Sequence, residues 1–168
     1  MSLSYELRAL SSVSLVACRV AAVLLPVLAG LVWFFGGLGT LLPLLEADQG
    51  AVSPLHWLGP SMVLLMAFVA SGGLWSLSNA FAEFAAGVVF TPRAASAVRG
   101  FSWTLVILAI LDALSRALVV ALDGRSFWAE LFVDIRTIGF LVVALFLAVV
   151  AQALVEGTRL TEDNQSII

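Results

Sequence analysis

The chain contains no lysine, one cysteine, one histidine and one tyrosine among its 168 residues. A single cysteine, Cys18, excludes an internal disulfide and any cysteine-based metal cluster. A single histidine, His56, excludes a multi-histidine metal centre within one chain, so no metal and no cofactor is expected. Charge is scarce as well. Asp, Glu, Lys and Arg make up 11% of the residues, where soluble domains carry about 25%. The net charge of −3, with no basic cluster, excludes a direct nucleic-acid footprint.

What is present is apolar. Hydrophobic residues account for 62% of the chain and the mean hydropathy is +1.11. A chain this small exposes much of its surface whatever its fold, so burial cannot absorb that excess and lipid must cover it. Four apolar segments approach the roughly 20 residues that a helix needs to cross a bilayer. They predict helices over residues 13–35, 58–84, 92–122 and 130–155, followed by a polar tail over 156–168 that Gly157 is placed to begin. None of the four alternates apolar and polar residues at a period of two, which argues against a β-barrel. The expected fold class is therefore all-α, an integral membrane four-helix bundle in a single domain. Leu15-Val16-Ala17-Cys18 matches the bacterial lipoprotein cleavage box, but the apolar run continues from Val20 to Phe35, so cleavage there is not expected.

The eight basic residues, all arginine, set the expected orientation. Arg8 and Arg19 flank the start of the first helix, Arg93 and Arg99 precede the third, and Arg159 follows the fourth. The connection between the first two helices has none, although Arg125 and Arg136 lie near the other outer connection. Positive flanks prefer the cytoplasm, which predicts both termini inside. Trp33, Trp57 and Trp128 then fall at outer helix ends and Trp103 at an inner one, in keeping with aromatic belts. The use of arginine with abundant Ala, Val, Leu and Gly points to a GC-rich bacterium, hence to a multi-pass protein of the cytoplasmic membrane. Ala67, Ala70, Gly72 and Gly73 provide a small-residue face that suits packing within the chain or the seam of a homo-oligomer.

Ionisable groups inside a membrane are costly, so those in the last two helices are the candidate site. Asp112 and Arg116 stand four apart, acid first, the favourable order for a pair on one helix. A hairpin turning near Gly124 and Arg125 brings Arg116 level with Asp134, and Asp112 roughly level with Arg136. These four residues form a candidate network in the outer half of the membrane. Two readings remain open: a self-neutralising structural clamp, or a site sensing protons, ions or a ligand. Gly36-Gly37-Leu38-Gly39 lacks the lysine of a phosphate loop, no serine lies in a nucleophile elbow, and a triad would need His56. The expectation is a non-enzyme with no catalytic residues.

Thr91-Pro92 reads as a helix start, with threonine as the cap and proline in the first turn. It belongs to the stretch FAEFAAGVVFTPRAASAVRG, Phe81 to Gly100, and the closing stretch is LFLAVVAQALVEGTRLTEDNQSII, Leu145 to Ile168. Together the two resemble the bacterial membrane proteins grouped as domain of unknown function 2975. The first matches in Gly87, Phe90, Thr91, Arg99 and Gly100, the second in Gly157, Leu160, Glu162, Asp163 and Ile167. The chain departs from the family where an asparagine commonly follows the Phe-Thr pair, since Ala94 and Ala95 stand there. The resemblance implies a four-helix membrane protein accompanying a small cytoplasmic helix-turn-helix transcription regulator, as a membrane-held sensor or antagonist. Gly87, Phe90, Thr91, Gly157, Leu160, Glu162 and Asp163 would then form a small cytoplasmic platform, with short extended pieces of backbone able to pair. The alternatives are a transporter or channel subunit and a structural scaffold of a membrane complex.

Overall fold

A computed structural model describes residues 2–46, 57–122 and 134–165. Four helices follow one another: α1 Ser2–Glu46, α2 Leu58–Ala85, α3 Pro92–Leu122 and α4 Ile135–Gln165. No strand occurs among the described residues. The segments Tyr5–Phe35, Leu58–Ala85, Pro92–Leu118 and Ile135–Thr161 are each long and apolar enough to cross a membrane. Leu24, Val27, Leu28 and Val32 of α1 and Val142, Leu145, Phe146 and Val149 of α4 are exposed, as expected of helix faces that meet lipid. The chain is a multi-pass membrane protein.

The helices run longer than the apolar pattern predicts. α1 begins at Ser2 rather than near residue 13. The hydroxyls of Ser11 and Ser12 donate to the carbonyls of Leu7 and Ala9, 2.8 and 2.7 Å away, so these residues stay within the helix instead of capping it. At its other end the α1 backbone stays helical through Gly36, Gly37, Gly39 and Pro43 to Glu46. α4 likewise continues through Gly157 to Gln165, so the predicted tail is helical up to that residue and its expected extended pieces are absent. Thr158 and Thr161 satisfy their hydroxyls on the carbonyls of Leu154 and Gly157, each at 2.8 Å, without leaving the helix.

Neighbouring helices are antiparallel and pack in chain order, α1 on α2, α2 on α3 and α3 on α4. The core is made of small residues. Ala80 of α2, Ala94, Ala95, Ala97 and Val98 of α3, and Ala151 and Leu154 of α4 form one buried cluster. It lies at the end of the molecule that carries both described termini, where Phe84, Leu147 and Val150 seal it. Association in lipid has no apolar surface to hide from water, so close backbone approach over small residues supplies the packing energy. Of the two adjacent glycines on α2, Gly73 faces Thr104 of α3, while a Cβ on Gly72 would meet no neighbouring helix within 4 Å. Further along the same seam, Ser76 donates to the carbonyl of Ala97 at 3.1 Å.

Pro26 breaks the hydrogen-bond ladder inside α1 and the neighbouring helix repairs it. Proline has no N–H, so the carbonyl of Ala22, four residues earlier, loses its helical partner. The hydroxyl of Ser71 on α2 donates to that carbonyl. Ala22 itself is buried, which keeps water from doing the same. Ser71→Ala should therefore cost about 1–2 kcal/mol, the upper part of the range for hydrogen bonds between membrane helices. Pro26→Ala restores the missing N–H and should make Ser71 dispensable. A double-mutant cycle on unfolding in detergent measures that coupling. Additive effects of the two substitutions would show that the serine does not substitute for the lost helical bond.

Candidate functional site

Three charged side chains meet where α3 approaches the start of α4. Asp112 and Arg116 lie one turn apart on α3, which puts both on one face. Arg116 Nη2 donates to Asp112 Oδ2 at 3.0 Å, and Arg116 Nη1 lies 3.0 Å from Asp134 Oδ2. Arg116 Nη2 also donates to Thr137 Oγ1 at 2.6 Å. Asp134 precedes α4 and caps it, its Oδ1 accepting from the N–H of Arg136 at 3.0 Å. One carboxylate thus closes the helix start with one oxygen and grips the guanidinium of the neighbouring helix with the other.

The cluster holds one positive and two negative groups, each side chain 22–25% exposed. Arg116 Nε is buried and has no hydrogen-bond partner among the described residues. Asp112 and Arg116 also line a groove of about 420 Å³ between α2 and α3, bounded by Gly59, Met62 and Met66. These α2 residues come from its first turns, at the end where Trp33 stacks near Trp57 with ring centres 5.1 Å apart. Trp33 Nε1 donates to Ser61 Oγ at 3.3 Å at the same level. α3 already begins at Pro92, so Asp112 lies twenty residues, about 30 Å, along it. The cluster therefore sits past the midpoint of α3, toward the end of the bundle where α4 begins.

Arg136 is not part of the cluster. Its side chain is exposed and borders a shallow apolar depression with Phe101, Leu105 and Phe140. Among the described residues it makes no ion pair, and only its backbone N–H serves the site. Thr137 takes its place, a residue that the pairing of charges alone does not reveal. Its spacing of three from the cap residue is the signal, because it brings the hydroxyl to the same side of α4 as Asp134.

The other group of candidates gathers at the opposite end, between α2 and α3. Gly87 has φ +83°, in the region that favours glycine. The N–H groups of Gly87 and Val88 close α2 on the carbonyls of Phe84 and Glu83, at 3.0 and 3.1 Å, in a Schellman arrangement. A Cβ on Gly87 would also stand 2.6 Å from the guanidinium of Arg8 on α1. Thr91 caps α3 as expected, its Oγ1 accepting from the N–H of Ala94 at 3.0 Å. Gly157 lies inside α4 against the ring of Phe90, so its missing side chain makes room for that ring instead of stopping the helix. The two motif glycines thus bring α1, α4 and the α2–α3 connection together. Leu160 and Asp163 are exposed further along α4, whereas the side chain of Glu162 lies outside the described residues.

Ionic contacts near this end are light. Arg93 lies 4.0 Å from Glu83 and is 88% exposed on its side chain, so the pair contributes little. Arg19 sits 5.8 Å from the ring centre of Trp75 and so has an aromatic face beside it. Among the described residues, no group of three or more His, Cys, Asp or Glu could hold a metal ion.

Comparison with protein-family models, with curated proteins and with solved structures finds no match for the chain. The resemblance drawn from Phe81–Gly100 and Leu145–Ile168 therefore stands on those two motifs alone.

Proposed function

We propose that the chain is a non-catalytic, membrane-held signal receiver. Its input is the Asp112–Arg116–Asp134 cluster and its output is the opposite end of the α3–α4 hairpin. Both termini lie in the cytoplasm of a bacterial cell, where that end docks a small helix-turn-helix transcription regulator. The observation that carries the reading is the shared wiring of the two ends. Arg116 ties α3 to the first turn of α4, and Phe90, just ahead of α3, sits on Gly157 near the other end of α4. A ligand or proton taking Arg116 from Asp134 loosens one end of a hairpin whose other end presents Val88, Val89, Phe90 and Leu160, all exposed. Such a shift needs only a ligand with different affinities for the two arrangements. The distribution of arginine supports the orientation, and the two-motif resemblance supports the partner.

Deleting the gene should change expression of a defined gene set, which the wild-type chain restores. Arg116→Gln should fail to restore it at normal membrane level, and Gly157→Leu, which evicts Phe90, should fail in the same genes. An unchanged transcriptome on deletion removes the proposal. A second reading, a subunit of a small transporter, is favoured by the 420 Å³ groove that opens onto Asp112 and Arg116. Solute flux into reconstituted vesicles that disappears on Asp112→Asn would select it instead.

A further inference from the structure

A second groove runs along α3 and α4 on the terminus side of the molecule, away from the charge cluster. It consists of two depressions of about 530 and 490 Å³ that share Arg99 and Trp103. Two guanidinium groups line it, Arg159 at the terminus end, near the end of the fourth apolar span, and Arg99 midway, where the two depressions meet. Arg99 Nη2 donates to Gln152 Oε1 at 3.4 Å, and neither arginine has an acidic partner among the described residues. No Asp or Glu lines either depression. Inward from the arginines the walls become apolar, with Trp103, Val106, Leu145 and Ala148.

That sequence of environments matches one ligand. We propose that Arg99 and Arg159 hold the phosphate of an anionic glycerophospholipid, with one acyl chain lying in the groove beside Trp103. The dimensions agree. Pro92 and Val106 border the two ends of the groove and are fourteen residues apart on α3, about 21 Å. Arg99 lies seven residues from Val106, about 10 Å, so the groove beyond it takes roughly two thirds of a chain that crosses one leaflet about 15 Å deep. The charges agree too. Two cations that have no counter-ion in the groove among the described residues are costly beside an apolar channel unless an anion joins them, and an anionic headgroup supplies it while its chain fills the channel. Arg159 lies two helical turns beyond Gln152 on α4, so the arginines approach the headgroup from different depths. Arg93 is turned to Glu83 and takes no part.

The test is retention of added lipid by the full chain in detergent, measured by native mass spectrometry. Phosphatidylglycerol is compared with phosphatidylcholine at equal concentration. Phosphatidylglycerol should be retained well above phosphatidylcholine, and Arg99→Gln with Arg159→Gln should weaken it roughly 30-fold. Arg93→Gln should leave it unchanged. Ala148→Trp keeps both arginines but fills an exposed part of the groove, so it should also release the lipid without disturbing the core. Phosphatidylglycerol brominated on its chain should quench tryptophan emission less in Trp103→Phe than in the wild type. Equal retention of the two lipids, or retention by Ala148→Trp at wild-type strength, overturns the site. Displacement by soluble glycerol phosphate as readily as by phosphatidylglycerol would assign the arginines to a free phosphate, and the lipid proposal would fail.

Discussion

Arg116→Leu should destabilise the protein by up to about 3 kcal/mol, the lower end of the cost of leaving a buried charge without its partner, because the carboxylates are only partly buried. Two carboxylates then face each other across the α3–α4 gap with no cation between them. Asp112→Asn should cost far less, about 1 kcal/mol, because Arg116 keeps Asp134 and Thr137. Asp134→Asn falls between these, since asparagine still caps α4 but no longer neutralises the guanidinium. The decisive variant is the triple replacement Asp112→Asn, Arg116→Gln, Asp134→Asn. It removes every charge together and should recover most of the loss. Half-life of the folded protein in detergent and membrane level in cells measure both quantities. A triple variant no more stable than Arg116→Leu would show that contact geometry, rather than charge left unpaired, holds the hairpin. The same variant separates the two readings of the cluster: a clamp leaves signalling intact in the recovered protein, and a receiver loses it.

The cluster also marks where sequence reasoning works and where it stops. Counting residues from the turn brings Arg116 level with Asp134, and the structure joins them at 3.0 Å. The same count brings Asp112 within two residues of the level of Arg136, and that pair does not form. Level is only one coordinate. Successive residues on a helix are about 100° apart, so Arg136 points about 200° away from Asp134 while Thr137 comes within about 60° of it. Azimuth decides, and a hairpin count contains none. Gly157 teaches a related point. A glycine near the end of an apolar run has the signature of a helix stop, yet here the space belongs to Phe90 from another segment. Only the tertiary neighbour distinguishes the two uses. The local signal at Thr91-Pro92 needed no neighbour, because cap and proline act within one turn, and α3 begins there. The membrane class was legible for a similar reason, since it depends on the length and composition of single segments.

The adjacent glycines of α2 should respond to alanine with opposite signs. Gly72→Ala adds a methyl group to open space, and alanine is better than glycine in a helix by about 1 kcal/mol, so this variant should be neutral or stabilised. Gly73→Ala gains the same local benefit but drives its Cβ into the side chain of Thr104. Thr104 has little freedom to retreat. Its hydroxyl donates to the carbonyl of Gly100 at 3.0 Å, and a Cβ on Gly100 would itself stand 2.9 Å from Ser76 Oγ. The α2–α3 seam is thus interlocked over three successive contacts, and a methyl group must separate the helices. Overpacking of this kind costs about 1–3 kcal/mol. The separation also has a direction. Ser76 would lose the carbonyl of Ala97, and Ala80 would be drawn from the alanine cluster that α2 shares with α3 and α4. Thr104→Ala removes two of the three atoms nearest the new methyl group and should restore part of the stability of Gly73→Ala. Unfolding of the four proteins in one detergent checks the series. Equal responses at the two glycines would mean that helix propensity, rather than the α2–α3 contact, dominates this part of the fold.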